Sequence, residues 1–307
     1  MTEGSSYHEP VMVAEVLRYL QPERGGVYFD GTLGGGGHTE AILSSGGAAA
    51  VIGVDQDREA LEVAGRRLGR FGDRVELVHA NFADAAESDA APLAGALLDL
   101  GVSSHQIDDA ARGFSFRPGT PLDMRMSATA TLTAADLLNT LPESELADVF
   151  YRYGEERKSR RLAAAVVRRR AESPFVTSDD FNEILDRFYG PRITVQDRAR
   201  MYQSLRIAVN DELSVLERAL EALRERLEPS GVLAILSYHS LEDRIVKDAF
   251  REWSRACICP PELPVCRCRG VALGTTLTRK PVMAGEAEVE QNTRSRSARL
   301  RAWRKAA

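Results

Sequence analysis

The sequence predicts an α/β protein: a parallel sheet covered by helices on both faces and interrupted by one all-helical insertion. Three observations carry this. Short apolar runs ending in acids alternate with helical stretches through the first hundred residues, a glycine-rich turn follows the first run, and no comparable apolar run occurs between about Ser104 and Asp211. At 307 residues the chain is about twice the length of an ordinary domain, so one enlarged domain or two modules is expected.

In order, Val27 to Asp30 is a short apolar run closed by an acid, and the turn behind it leads into a helix from about His38 to Leu43. Ala48 to Asp55 is rich in Val and Ile and again ends in Asp. Asp57 to Leu68 places Ala60, Leu61, Ala64 and Leu68 at helical spacing. Val75 to His79 and Ala96 to Leu100 supply two further strands. The insertion reads as helices over Ala134 to Leu138, Glu143 to Tyr153, Ser159 to Arg170 and Ser178 to Phe188. One long helical segment, Arg200 to Leu227, then precedes a buried strand, Gly231 to Ser237, and a helix from Leu241 to Trp253.

Composition excludes several classes. With 44% hydrophobic and 28% charged residues the chain has material for a core and is not a disordered protein. Its uncharged run Ala41 to Val54 is well short of the ~20 apolar residues a membrane helix needs. The start, MTEGSSYHEP, has no basic stretch followed by an apolar segment, so a cytoplasmic protein with no membrane association is expected. The net charge of −5 argues against a uniformly basic nucleic-acid binder, yet the cations are clustered. Arg152 to Arg170 holds eight Arg or Lys against two Glu, and Gln291 to Ala307 holds six against none. Each tract reads either as a grip on phosphates or as a solvated helix face and a frayed tail.

The strongest chemical signal is DGTLGGGGH, Asp30 to His38, where four glycines between a strand and a helix let a ligand approach the backbone. The dinucleotide spacing G-x-G-x-x-G fails, because the sixth position from Gly34 is Thr39 and from Gly35 is Glu40. Asp55, closing the second strand, suits the two hydroxyls of a ribose. Phe82 follows the third strand, where it would stack on an adenine or pack beneath a loop. Asp99 ends the fourth strand, the edge at which reacting groups collect in open sheets, with Ser103, Ser104 and Gln106 beyond it. Tyr238 and His239, past the next strand, are candidate walls of a base pocket or a buried Tyr and a helix cap. Cys257, Cys259, Cys266 and Cys268 form CICPPELPVCRC, whose C-x-C spacing is tighter than usual for zinc and favours reduced structural thiols, with zinc and a redox role as the alternatives. His38-Thr39-Glu40 matches half of a zinc deaminase signature, but the P-C-x-x-C half is missing.

Six segments in order, together with His8-Glu9-Pro10-Val11, resemble the ribosomal RNA small-subunit methyltransferase H family over nearly the whole chain. They are Asp30 to His38, LLDLGVSS, RGFSFRPGTPLDMRM, SLRIAVNDEL, SYHSLEDRIVK and NTRSRSARLR. The resemblance implies a class I S-adenosylmethionine-dependent methyltransferase (Rossmann-like) sheet over 1–105 and 212–307, with an inserted helical, RNA-recognising domain over 106–211. It implies S-adenosyl-L-methionine as cofactor, surrounded by Gly36, Gly37, His38, Asp55, Phe82, Asp99 and Gln106. It implies methylation of the N4 amine of one cytosine in the decoding region of 16S rRNA in the small ribosomal subunit. Catalysis is then expected from Asp99, with Ser103 or a nearby backbone carbonyl as a second acceptor, and no metal ligand is expected. A non-catalytic RNA-binding assembly factor and a nicotinamide-dependent oxidoreductase are the competing readings. Two departures, Gln196-Asp197-Arg198 for a His-Pro-Ala-like turn and Thr293 for a Pro, bear on local loop shape.

Overall fold

Strand β1 (Gly26–Asp30) lies between β2 (Ala49–Asp55) and β4 (Leu93–Asp99) in the computed structural model, which describes residues 10–88, 91–101, 109–127, 130–260, 265 and 267–307. With β3 (Val75–His79), β5 (Leu227–Ser237), β6 (Gly274–Thr276), β7 (Val282–Met283) and β8 (Arg299–Lys305) they form an eight-stranded sheet in the order β3-β2-β1-β4-β5-β8-β6, with β7 also paired to β8. β3, β2, β1, β4 and β5 are parallel, whereas β8 runs antiparallel to β5. This is the class I methyltransferase sheet expected from the sequence, with β8 running against β5 on one side and against β6 and β7 on the other.

Period-two alternation splits the strands between two cores. On β5, Leu233 and Ile235 join the layer containing Phe29, Leu98, Phe250, Trp253 and Trp303, while Val232, Ala234 and Leu236 join the layer containing Tyr28, Ile42, Leu68, Leu97 and Leu300. Helices α1 (Val13–Leu20), α2 (Gly37–Ser45) and α3 (Arg58–Leu68) contribute to the second layer through Val16, Leu20, Ile42, Leu43, Ala64 and Leu68. α3 starts where it does because the Asp57 carboxylate accepts the Glu59 N–H at 3.1 Å.

The chain divides into two units, Met1–Gly101 with Leu213–Ala307, and Val102–Glu212. The second unit holds the helices Ala134–Thr140, Glu143–Arg152, Ser159–Glu172, Ser178–Tyr189 and Val195–Asn210 around Phe150, Phe181, Leu185, Met201 and Leu205. Its described residues include one antiparallel bridge, Pro121 with Thr177.

Three expectations need correction. The segment Arg200 to Leu227 is not one helix: Val195–Asn210 ends at Asp211, whose left-handed φ of 49° breaks the run before the helix Glu212–Arg226. Gln196-Asp197-Arg198 is not loop but first helical turn, where the Asp197 carboxylate and the Thr194 hydroxyl form a reciprocal capping box. The basic C-terminal tract is not a frayed tail, because Arg299–Lys305 is strand β8 with Leu300, Ala302 and Trp303 fully buried. Arg301 is buried there as well, and its guanidinium meets Asp243 at 2.6 Å.

Candidate active site at the strand ends

The carboxyl ends of β1, β2 and β4 each carry an aspartate: Asp30, Asp55 and Asp99. Ligands in open parallel sheets gather at this edge because the connecting loops diverge there.

Asp30 is a structural anchor. It is buried, it accepts the Thr39 hydroxyl at 2.7 Å, and so it ties the first turn of α2 to β1. Burial raises its pKa, with the nearby His38 and the Thr39 hydrogen bond opposing.

Asp55 faces the glycine turn. One carboxylate oxygen accepts the Gly34 N–H at 2.8 Å and the other accepts the Asp57 N–H at 2.9 Å. No cation pairs with it among the described residues, and burial therefore pushes its pKa up to about 6 against those two hydrogen bonds. Each oxygen retains a lone pair, so the group still seeks donors.

Within the turn, Gly36 has φ +78°, and a Cβ there would approach Leu68 and Ala64 of α3 to 3.1 and 3.3 Å. Its lack of a side chain thus serves close packing as well as a left-handed turn. Gly37 opens α2 directly against Pro10. His38 is buried, with Nε2 2.9 Å from the Val11 carbonyl oxygen; since a carbonyl only accepts, Nε2 carries the hydrogen. Its Nδ1 lies 3.7 Å from an Asp99 carboxylate oxygen.

Asp99 is held through both its backbone and its side chain. Its backbone N–H donates to the Thr32 hydroxyl at 2.6 Å, and its Oδ1 accepts the Tyr238 hydroxyl at 2.7 Å. Burial, then the Asp99 charge, raises the Tyr238 pKa well above its usual 10, so the phenol remains a donor. Tyr238 is fixed in turn by Glu242, whose Oε2 accepts the backbone N–H groups of Tyr238 at 2.9 Å and His239 at 3.3 Å. His239 is the N-cap of the helix Ser240–Trp253.

Phe82 opens the short helix Phe82–Ala86, half-buried against the core layer that contains Phe29 and Val54. Ser103 and Gln106, and with them Ser104, lie outside the described residues. The sequence reading missed Thr32 and the Tyr238 hydroxyl as supports of Asp99; the only signal for Tyr238 was its place after β5, at the same sheet edge.

Of the two basic tracts, Arg152 to Arg170 lies in the helical unit. Arg169 pairs with Asp180 at 2.8 Å, and Arg170 donates to the Leu138 and Leu141 carbonyls. Arg157, Lys158, Arg160 and Arg168 are exposed and make no ion pair among the described residues.

The sequence matches the MraW methylase family over residues 5–306. It is 53% identical over 306 residues to the ribosomal RNA small subunit methyltransferase H of Gemmatimonas aurantiaca, covering 98% of this chain and 96% of that one. It is 50% identical over 310 residues to the protein of the same name from Geotalea uraniireducens, covering 97% and 98%. A third, from Heliobacterium modesticaldum, is 48% identical over 309 residues, covering 97% and 98%.

Proposed function

Because the chain belongs to the MraW methylase family, we propose that it methylates the N4 amine of one cytosine in the decoding region of 16S rRNA. The coarser assignment, a methyltransferase of small-subunit ribosomal RNA that uses S-adenosyl-L-methionine, follows from the family and its relatives. Membership in a methylase family sets the nicotinamide reading aside. The helical unit within Val102–Glu212 is proposed to contact the RNA.

The residues at the strand ends suit the cofactor. Asp55 is a half-buried acceptor that no cation pairs with among the described residues, and a vicinal diol supplies the two donors its spare lone pairs call for. Gly36, Gly37, His38 and Phe82 are proposed to line the rest of that site, with Gln106 beyond the described residues. The bound cofactor supplies a methyl group already activated by a positively charged sulfur. The protein's own task is then positioning.

Asp99 is proposed as the group that receives the target amine. An exocyclic amine conjugated to its ring is a poor nucleophile, and a carboxylate accepting one of its N–H bonds would localise the nitrogen lone pair and could take up the proton lost when the nitrogen is methylated. Tyr238 and Thr32 fix the orientation of Asp99, and Ser103 is proposed as a second acceptor. The observation that carries this reading is Asp99 at the end of β4, its backbone N–H bonded to Thr32 and its carboxylate to Tyr238, with 18% of its side chain exposed.

Extruding a base also requires a grip on the backbone, for which Arg157, Lys158, Arg160 and Arg168 are proposed. The test is transfer of labelled methyl to small subunits lacking the modification, followed by nucleoside analysis. N4-methylcytidine is expected. Label in any other nucleoside overturns the choice of atom, and cofactor binding without labelling favours a non-catalytic assembly factor.

A further inference from the structure

The segment joining the helix Ser240–Trp253 to β6 does nothing in the reaction outlined above, yet it concentrates sulfur. Cys257, Cys259 and Cys268 bring their Sγ atoms within 4.8 Å of one another, and none of the three is in a disulfide. Cys266 lies outside the described residues.

Two backbone hydrogen bonds strap the cluster crosswise. The Ile258 N–H, between the first two cysteines, donates to Cys268 Sγ at 3.3 Å; the Arg267 N–H, beside the third, donates to Cys259 Sγ at 3.4 Å. Amide donors aimed at sulfur fix the direction of the side chain, as outer partners do for metal-binding sulfurs. Cys268 Sγ is also 4.0 Å from the Ala256 carbonyl oxygen. Arg267 and Arg269 flank Cys268 in sequence, and the guanidinium of Arg269 also binds the Glu252 and Arg255 carbonyls, fixing one rim of the segment to the end of the helix.

We propose that Cys257, Cys259 and Cys268 form a thiolate site for a zinc ion. At a zinc–sulfur distance of about 2.3 Å, tetrahedral geometry sets neighbouring sulfurs about 3.8 Å apart. The observed cluster needs to contract by no more than about an ångström. Zinc suits the donor set because it favours thiolates, tolerates a flexible loop and imposes no redox chemistry. The tight C-x-C spacing, which weighs against zinc in the sequence alone, loses its force once Cys268 converges on the same point. The bound ion ties the end of the helix Ser240–Trp253 to the residues ahead of the edge strand β6, a structural role rather than a catalytic one.

The test uses the full chain purified in reductant without chelator. Elemental analysis is expected to find about one zinc per chain. Cys257→Ser, Cys259→Ser and Cys268→Ser should each lose it while far-ultraviolet circular dichroism shows the rest of the fold intact. Replacement by cobalt should give thiolate charge-transfer absorption that the variants lack, and chelation should expose the 254–273 segment to protease. Protein that holds no zinc after incubation with the ion and desalting overturns the proposal. So does zinc content unchanged in the variants, copper or iron in its place, or a disulfide among these cysteines in freshly isolated protein.

Discussion

The Tyr238 hydroxyl donates a 2.7 Å hydrogen bond to Oδ1 of Asp99, linking the ends of two adjacent parallel strands across 139 residues of sequence. If Asp99 receives the amine, Tyr238 positions it without touching the reacting atoms. Tyr238→Phe is then expected to lower kcat about tenfold, the worth of one hydrogen bond to a charged group, with cofactor affinity nearly unchanged. Single-turnover rates set beside calorimetry separate the two, and equal losses in both would make the pair part of the cofactor site instead.

Asp99→Asn should go further, reducing kcat about a hundredfold or more while cofactor affinity falls far less. The amide keeps the shape but presents one acceptor and one donor where the carboxylate presents two acceptors. Loss of affinity in step with turnover would demote Asp99 to a binding residue.

Asp55, with a pKa near 6 in the absence of ligand, predicts pH-dependent cofactor binding. Hydroxyl donors prefer the ionised carboxylate, so affinity should weaken as pH falls below about 6, with proton release on binding there. Stability has the opposite sign: a pKa raised on folding favours the fold at acid pH, and that contribution fades as pH rises from about 4 to about 6. Asp55→Asn should therefore bind cofactor about ten- to a hundredfold more weakly without lowering Tm at neutral pH. Titration calorimetry and thermal melts across this range read both effects, and a steep pH dependence surviving in the variant would remove Asp55 from the site.

Replacing Arg157, Lys158, Arg160 and Arg168 by Ala should weaken RNA binding and flatten its salt dependence. The log–log slope should fall by about one for each phosphate contact removed. An unchanged slope would return this face to solvent.

Asp243 is held between Arg301, at 2.6 Å, and Arg299, at 3.4 Å. Burial works against its charge, but the guanidinium of Arg301, then that of Arg299, holds its pKa below the usual carboxylate range. A depressed pKa contributes stability above about pH 4 that is lost as pH falls further. Asp243→Asn leaves Arg301 buried without its counter-charge and should cost about 3–5 kcal/mol at neutral pH, by urea titration. The gap from the parent protein should narrow at pH 3.

The parts of the sheet legible in the sequence are those whose signals are local. β1, β2, β3 and β4 announce themselves as apolar runs, and the acids closing three of them mark the ligand edge. β8 does not, because RLRAWRK reads as a charged tail until Asp243, far back in the chain, is seen to neutralise Arg301 beneath it. The break at Asp211 was hidden for a related reason: apolar spacing continues through it, and only a single left-handed residue separates the helices. The support of Asp99 by Tyr238 is a through-space fact that no spacing encodes. The three described cysteines likewise converge by loop geometry, against what C-x-C suggests on its own.

Strand β8 also orders events during synthesis. It follows every other described strand in the sequence, yet it lies inside the sheet, bonded to β5 on one side and to β6 and β7 on the other. Until Arg299–Lys305 leaves the ribosomal tunnel, β5 has an open backbone edge and the site of Trp303 in the core stays vacant. A nascent chain stalled before that point carries Asp30, Asp55 and Asp99 on an unfinished scaffold, a state suited to chaperone capture or to degradation.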